Sequence, residues 1–204
     1  MVTILPVVEG HGEVRSIPHL IRRVLQEAAQ RYDIDVGHAI RQPSGSLWTP
    51  GGMERAVRLA LARPRCDALL VLTDREDGCP KTDGPILAQE LERALRSVGC
   101  TEMLAAAVLA YREVETWFLA ALDSPGFQTF VRPGSAPPAH PESRRDAKGW
   151  LEQFLLAVAY DSSADQLTFA ARLNLTLARA GSDSFDKFCR EVIRLGSAFP
   201  SAGL

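Results

Sequence analysis

The sequence predicts an α/β protein: a parallel sheet flanked by helices, followed by a small helical region. Three observations carry this. Apolar, β-branched runs alternate with amphipathic helical patterns from Val2 to Leu122. The run Asp67–Thr73 (D-A-L-L-V-L-T) is unbroken, as in a central parallel strand covered on both faces. Acidic residues follow the predicted strands directly, where parallel sheets place their sites.

Val2–Val8 reads as a buried strand closed by a glycine turn. Val14–Arg31 carries Ile17, Leu20, Ile21, Leu25 and Ala28 at helical spacing, with Pro18 near the start. Ile34–Ile40 is a second strand candidate, Pro43–Gly52 a loop and Met53–Ala62 a helix. After the central strand, Asp74–Asp83 is a polar loop, and Pro85–Ser97 a helix with proline in its first turn. Met103–Ala110 is a strand candidate whose alanines also suit a helix, and Glu113–Leu122 is helical. The division expected is an α/β domain over 1–123, a proline-rich exposed loop over 124–146 and a helical region over 147–204 packed on the first. Its helical patterns are Trp150–Tyr160, Gln166–Ala180 and Phe185–Leu195.

Composition narrows the function. Hydrophobic residues make up 46% of 204, enough for a real core, but aromatics only 7%, so aliphatic side chains are expected to carry the packing. The net charge of −2 excludes a cationic nucleic-acid clamp. It divides into 14 basic and 17 acidic residues up to Asp123, and 9 and 8 beyond, so bound divalent metal would offset the first half. The basic residues are almost all arginine, which a GC-rich genome explains more simply than phosphate contact does. Cys66, Cys79, Cys100 and Cys189 show no zinc spacing and no disulfide framework, which points to a reduced cytoplasm. The N-terminus lacks a basic segment before its apolar run, so no signal peptide is expected; nor does any apolar stretch have the length of a membrane span.

Three segments could do chemistry. In Val8-Glu9-Gly10-His11-Gly12-Glu13 the glycines begin like a dinucleotide fingerprint, but Arg15 stands where the third glycine belongs. Two carboxylates there would repel a bare phosphate and accept a metal-bridged one. Glu13 also suits a helix start, whereas Glu9 at a buried strand end needs a partner. In Thr73-Asp74-Arg75-Glu76-Asp77-Gly78-Cys79-Pro80, a continued strand would aim Asp74 and Glu76 the same way, as a hard cation requires, with Asp77 in an outer position. A solvated turn explains the same residues without metal. In Tyr111-Arg112-Glu113-Val114-Glu115-Thr116-Trp117-Phe118, Glu113 suits a first helical turn and Glu115 faces inward. No G-x-x-x-x-G-K-[ST] occurs, which excludes a P-loop ATPase in this chain.

Taken together, V-E-G-x-G-E, D-x-E-D-x-C-P and E-x-E-T-W-F-L-A, with Asp165-Gln166-Leu167 and Ser184-Phe185-Asp186-Lys187-Phe188 further on, resemble the Toprim-like domain-of-unknown-function family numbered 4276. That family is akin to the Toprim nuclease module of overcoming-lysogenization-defect (OLD) proteins. The resemblance implies a Toprim-like fold and Mg²⁺- or Mn²⁺-dependent phosphodiester hydrolysis. Glu9 would act as acid/base or ligand and Asp74 with Glu76 as the metal pair, although Glu76 departs from the family aspartate by one methylene. Glu13, Asp77 and Glu115 are further ligand candidates, and His11, Arg15, Lys81 and Arg112 candidates for substrate phosphate. The implied partners are nucleic acid, DNA before RNA, and an ATPase of the AAA or ABC type, often in bacterial phage defence. Two other readings stand beside this: a catalytically silent docking or regulatory subunit of an ATPase complex, and a nucleotide-binding Rossmann protein, which the missing glycine and the crowd of acids oppose.

Overall fold

The computed structural model describes residues 1–156 and 159–200. Five strands among them form one all-parallel sheet, as the alternation predicts. β1 (Val2–Val8) lies between β4 (Ala68–Arg75) on one side and two short strands, β2 (Ile34–Val36) and β3 (Ile40–Arg41), on the other; β5 (Leu104–Tyr111) pairs with β4 and forms the free edge. The single strand expected over Ile34–Ile40 is thus two, interrupted at Gly37, whose N–H bonds to the Ile4 carbonyl.

Helices cover both faces. α2 (Gly52–Leu61) and α3 (Pro80–Ser97) close one with aliphatic contacts around Leu5, Val7, Leu69 and Val71. The other is closed by α1 (Glu13–Arg23) and α4 (Glu115–Leu119), and by α5 (Ala147–Phe154), α6 (Ser162–Arg172), α7 (Leu175–Gly181) and α8 (Asp183–Ser197). On this face the expectation of an aliphatic core needs correction: the few aromatics gather here. Trp117 lies 5.1 Å from both Phe185 and Phe188, and Phe127 lies 5.0 Å from Phe169. A wide gap between sheet and several short helices is filled with fewest residues by large rings.

Local chemistry explains where the boundaries depart from the predicted ones. α1 gives way after Arg23 to a π-helical turn, Val24–Ala28, and the chain reverses at Gln30 (φ 53°). α3 starts five residues before Pro85, because Pro80 occupies its first position and Asp83 accepts the Cys79 N–H (2.9 Å) in the manner of a capping box. The pattern over Gln166–Ala180 is two helices, since Asn174 caps α7 through the Leu177 N–H (3.0 Å). Asp146, Asp161 and Ser182 cap α5, α6 and α8 in the same way. The predicted segment Trp150–Tyr160 is helical only to Phe154; 157 and 158 lie outside the described residues. The stretch 124–146 is less exposed than expected: Phe127, Val131 and Pro141 are buried, and Val131 bridges Leu155.

The approach of α6 to α1 positions the site. Arg23 donates to the carbonyls of Ala170 and Leu173 (2.8 Å each), and the Ser16 hydroxyl donates to Gln166 (2.6 Å). Gly12 permits this contact: a Cβ there would stand 2.1 Å from the Ser162 carbonyl oxygen. Its backbone is ordinary right-handed helix (φ −65°, ψ −35°), so close packing, not a special turn, demands glycine. Gly12→Ala is expected to cost at least about 2 kcal/mol, because backbone atoms must move apart; the check is the urea midpoint, and an unchanged midpoint would contradict the tight packing.

Candidate functional site

The acids at the ends of β1, β4 and β5 meet at the carboxyl end of the sheet, Asp74 still within β4 and Glu9, Glu113 and Glu115 beyond their strands. Glu9 leaves β1 into a buried position. Its carboxylate accepts the Thr73 hydroxyl (2.5 Å) and the Leu47 N–H (3.3 Å). Trp48 donates its indole N–H to Thr73 (3.3 Å), so the 43–52 loop closes over Glu9. Glu13, first residue of α1, folds back and accepts the N–H groups of Glu9 (3.2 Å) and Gly10 (3.0 Å). Gly10 makes room for this: a Cβ would fall 2.6 Å from the Glu13 Oε1. The two glycines of the G-H-G motif therefore serve a carboxylate and a helix contact.

Asp74 stands half-buried between these groups, and among the described residues no other side chain is bonded to its carboxylate. Glu115, at the start of α4, is buried and accepts the Tyr160 hydroxyl (3.1 Å) and the Gln166 amide (3.3 Å). Glu113 binds Lys148 of α5 twice, through the ammonium (3.4 Å) and the backbone N–H (3.1 Å).

Crowding sets the proton affinities. Burial, then the charges of Asp74 and Glu115, push the Glu13 carboxyl up to about 7 against the hydrogen bonds it accepts. Burial and then the Glu9 charge push Asp74 up to about 6, with Lys148 opposing. Burial also raises Glu115. Lys148 is partly desolvated, which weakens its hold on the proton, yet Glu115 and Glu113 outweigh this and raise it. Burial and Glu115 keep Tyr160 a neutral donor.

Of the ten residues singled out from sequence, four come together here: Glu9, Glu13, Asp74 and Glu115. Glu76 does not join them. β4 persists only to Arg75, which leaves the Glu76 side chain exposed on the rim of a cleft of about 420 Å³ that Asp74, Glu113 and Trp48 also line. Asp77 is exposed and pairs with Arg145 (2.5 Å). Arg112 borders the same cleft, its guanidinium on the Tyr111 ring (4.7 Å) and bonded to the Glu76 carbonyl. His11 and Arg15 are exposed, and Lys81 lies in a separate cavity beside β5. Sequence reasoning missed Thr73, Lys148 and Tyr160. Lys148 had a signal, being one of three lysines among 23 basic residues; Tyr160 had none, 45 residues from the carboxylate it serves.

The donor set is all oxygen and rich in charge, which suits a hard divalent cation. It is not preassembled: among the described residues no three acidic, histidine or cysteine side chains form a ready group for a metal ion. Glu9 and Glu13 are turned into protein donors instead.

The class defined by this geometry is a parallel α/β module with an acidic site at the strand ends, closed by helices from the far end of the chain. A family profile matches residues 8–193, and the chain belongs to that family, described as Domain of unknown function (DUF4276). No curated protein matches the chain. Among solved structures, the C-terminal region of the Burkholderia pseudomallei OLD protein is similar over 97% of this chain and 98% of that one, at 16% identity and a TM-score of 0.41. No helix among the described residues is long and apolar enough to cross a membrane.

The raised carboxyls make stability depend on pH. The folded protein holds protons on Glu13 and Asp74 that the unfolded chain has already released. Their stabilisation is therefore complete below about pH 4 and is lost as pH rises through 6 to 7. For Glu13 this amounts to on the order of 3 kcal/mol. Metal-free protein is expected to weaken between pH 5 and about 8 and Glu13→Gln to flatten that slope, measured by denaturation across pH; a pH-independent wild type would show that the cluster is better solvated than its burial implies.

Proposed function

We propose that this protein hydrolyses phosphodiester bonds in nucleic acid with Mg²⁺ or Mn²⁺, in a bacterial defence or repair system together with an ATPase. The observation that carries the reading is the gathering of Glu9, Glu13, Asp74 and Glu115 from four separate elements beside the Lys148 ammonium, with Glu13, Asp74 and Glu115 raised by burial and by neighbouring charges. A divalent cation relieves that repulsion, and a protein rarely buries such a surplus of acid without a use for it. Nucleic acid as substrate, DNA before RNA, and the AAA- or ABC-type ATPase rest on the family resemblance of the motifs.

Glu9, Glu13, Asp74 and Glu115 would hold the metal, with Glu76 at the rim as a further ligand. When bound, the metal would supply a polarised phosphate and an activated water. The chain's own residues do the rest. Asp74, whose carboxyl is pushed up to about 6 in the metal-free protein, would give up its proton to coordinate the cation. Thr73 and the Leu47 N–H hold Glu9 in one orientation. Lys148 sits where it can offset charge on a phosphate that approaches the cleft, and Arg112 lines the approach. The 43–52 loop and α6 restrict water around the buried carboxylates.

One observation favours a second reading, a docking or regulatory subunit without catalysis: Glu9 and Glu13 are satisfied by the protein itself, and no ready ligand group exists among the described residues. Calorimetric titration of Mn²⁺ into the wild type and Asp74→Ala separates the two. Saturable binding that strengthens with pH, releases protons and disappears in the variant is expected, followed by loss of at least about a hundredfold in cleavage. A well-folded wild type that binds no Mn²⁺, with or without nucleic acid, would leave the docking reading in its place. A second variant, Lys148→Met, is expected to keep metal binding but slow cleavage at least about tenfold, checked by single-turnover nicking.

A further inference from the structure

Arg75 is the last residue of β4. It follows Asp74 and lines the same cleft. Its guanidinium lies over the Trp48 ring, 4.5 Å from the centroid. Its stem runs along Gly78, where a Cβ would stand 2.6 Å from the Arg75 Cδ. A stem packed on glycine and a head stacked on a ring hold a long side chain in place without using its N–H groups. Those groups are unspent. Asp83 lies 3.6 Å away, too far for a hydrogen bond, and already accepts the Cys79 N–H. Among the described residues the Arg75 side chain donates no hydrogen bond.

Arg112 lines the cleft too and is held in the same manner, its guanidinium over the Tyr111 ring. Tyr111 is the cross-strand partner of Arg75, so the two arms leave the sheet from adjoining strands. Both brace the turn after β4, Arg75 along Gly78 and Arg112 through the Glu76 carbonyl. Keeping Arg112 there is costly. Its backbone is left-handed (φ 72°), and its Nε is buried with no partner among the described residues. Strain and an orphaned donor on the wall of a cleft mark a side chain that is placed for a ligand.

The charges of the lining decide which ligand. Asp74, Glu76 and Glu113 stand against the two arginines, and Glu113 is already paired with Lys148. A bare anion finds no net attraction here. Once a divalent cation has offset Asp74, the arginines are left to attract anions.

We propose that Arg75 and Arg112 each bind a phosphate that neighbours the one being cleaved, so that the site takes a chain of nucleotides and discriminates against an isolated diester. This rests on the hydrolytic reading of the cleft and adds its substrate class. A diester phosphate has two free oxygens. With one of them on the cation, a single oxygen remains, too few for a guanidinium fork, whereas a neighbouring phosphate offers both. Two separate arms therefore call for two further phosphates. Lys148, a point charge, is the cation matched to the reacting phosphate itself.

Cleavage of oligothymidylate and of the thymidine dinucleotide, whose one phosphate has no neighbour, tests this in the presence of Mn²⁺. The wild type is expected to favour the oligomer at least a hundredfold in kcat/KM per phosphodiester bond. Arg75→Met and Arg112→Gly, the second suited to the positive φ, are each expected to raise KM for the oligomer at least tenfold. Each is also expected to lower the slope of log KM against log salt concentration by about 0.7, as for the loss of one single-strand phosphate contact. Calorimetric titration of Mn²⁺ into both variants is expected to give the wild-type affinity. Equal cleavage of dinucleotide and oligomer by the wild type overturns the proposal and leaves the hydrolytic reading standing. So do variants that keep the wild-type KM and salt slope, and so does loss of Mn²⁺ binding in both variants, which would make the arginines structural. A wild type that cleaves neither substrate removes the hydrolytic reading itself.

Discussion

Mutual repulsion among buried carboxylates is the constraint around which this molecule is arranged. Glu9, Glu13 and Glu115 are almost fully enclosed, and Asp74 sits among them. Each must be given donors or keep its proton. Glu9 takes a hydroxyl from the neighbouring strand, Glu13 takes main-chain N–H groups from its own turn, and Glu115 draws on Tyr160 and Gln166 from the far end of the chain. Asp74 is left with burial and no such supply, and its carboxyl rises accordingly. The placement of α5 and α6 follows from the same need, since they bring Lys148, Tyr160 and Gln166 to acids that the sheet alone cannot satisfy.

Much of the fold was legible because it depends on local pattern. The strands of the sheet announce themselves by apolar runs, and the amphipathic stripes of α1, α2 and α8 by their period. Boundaries were less legible where two signals compete, as at Pro80 and Pro85, or where a cap such as Asn174 divides one apolar stripe into two helices. The aromatic face was illegible for a different reason. Composition counts rings but cannot say that Trp117, Phe127, Phe169, Phe185 and Phe188 all turn to the same side of the sheet.

Within the site, the acids at strand ends were readable from the strand-end rule, whereas Glu76 was misplaced by one assumption. The D-x-E argument needs extended backbone beyond Asp74, and the strand stops at Arg75. The glycines invited a phosphate-cradle reading that their surroundings do not bear out. Gly10 accommodates a folded-back glutamate and Gly12 a helix that arrives from 150 residues downstream. Contacts of that range leave no trace in spacing, which is why Tyr160 escaped notice.

The dependence of Glu115 on Gln166 has a consequence for the order in which the molecule matures. On the ribosome the sheet strands emerge first, and through the emergence of β5 and α4 the acids have no Tyr160, no Gln166 and no Lys148 beside them. Glu115 of a nascent chain at that stage lacks both of the side chains that donate to it. The enclosed cluster forms only when α6 lies down on Gly12, so whatever chemistry it performs is withheld until the segment that carries Tyr160 and Gln166 has been made.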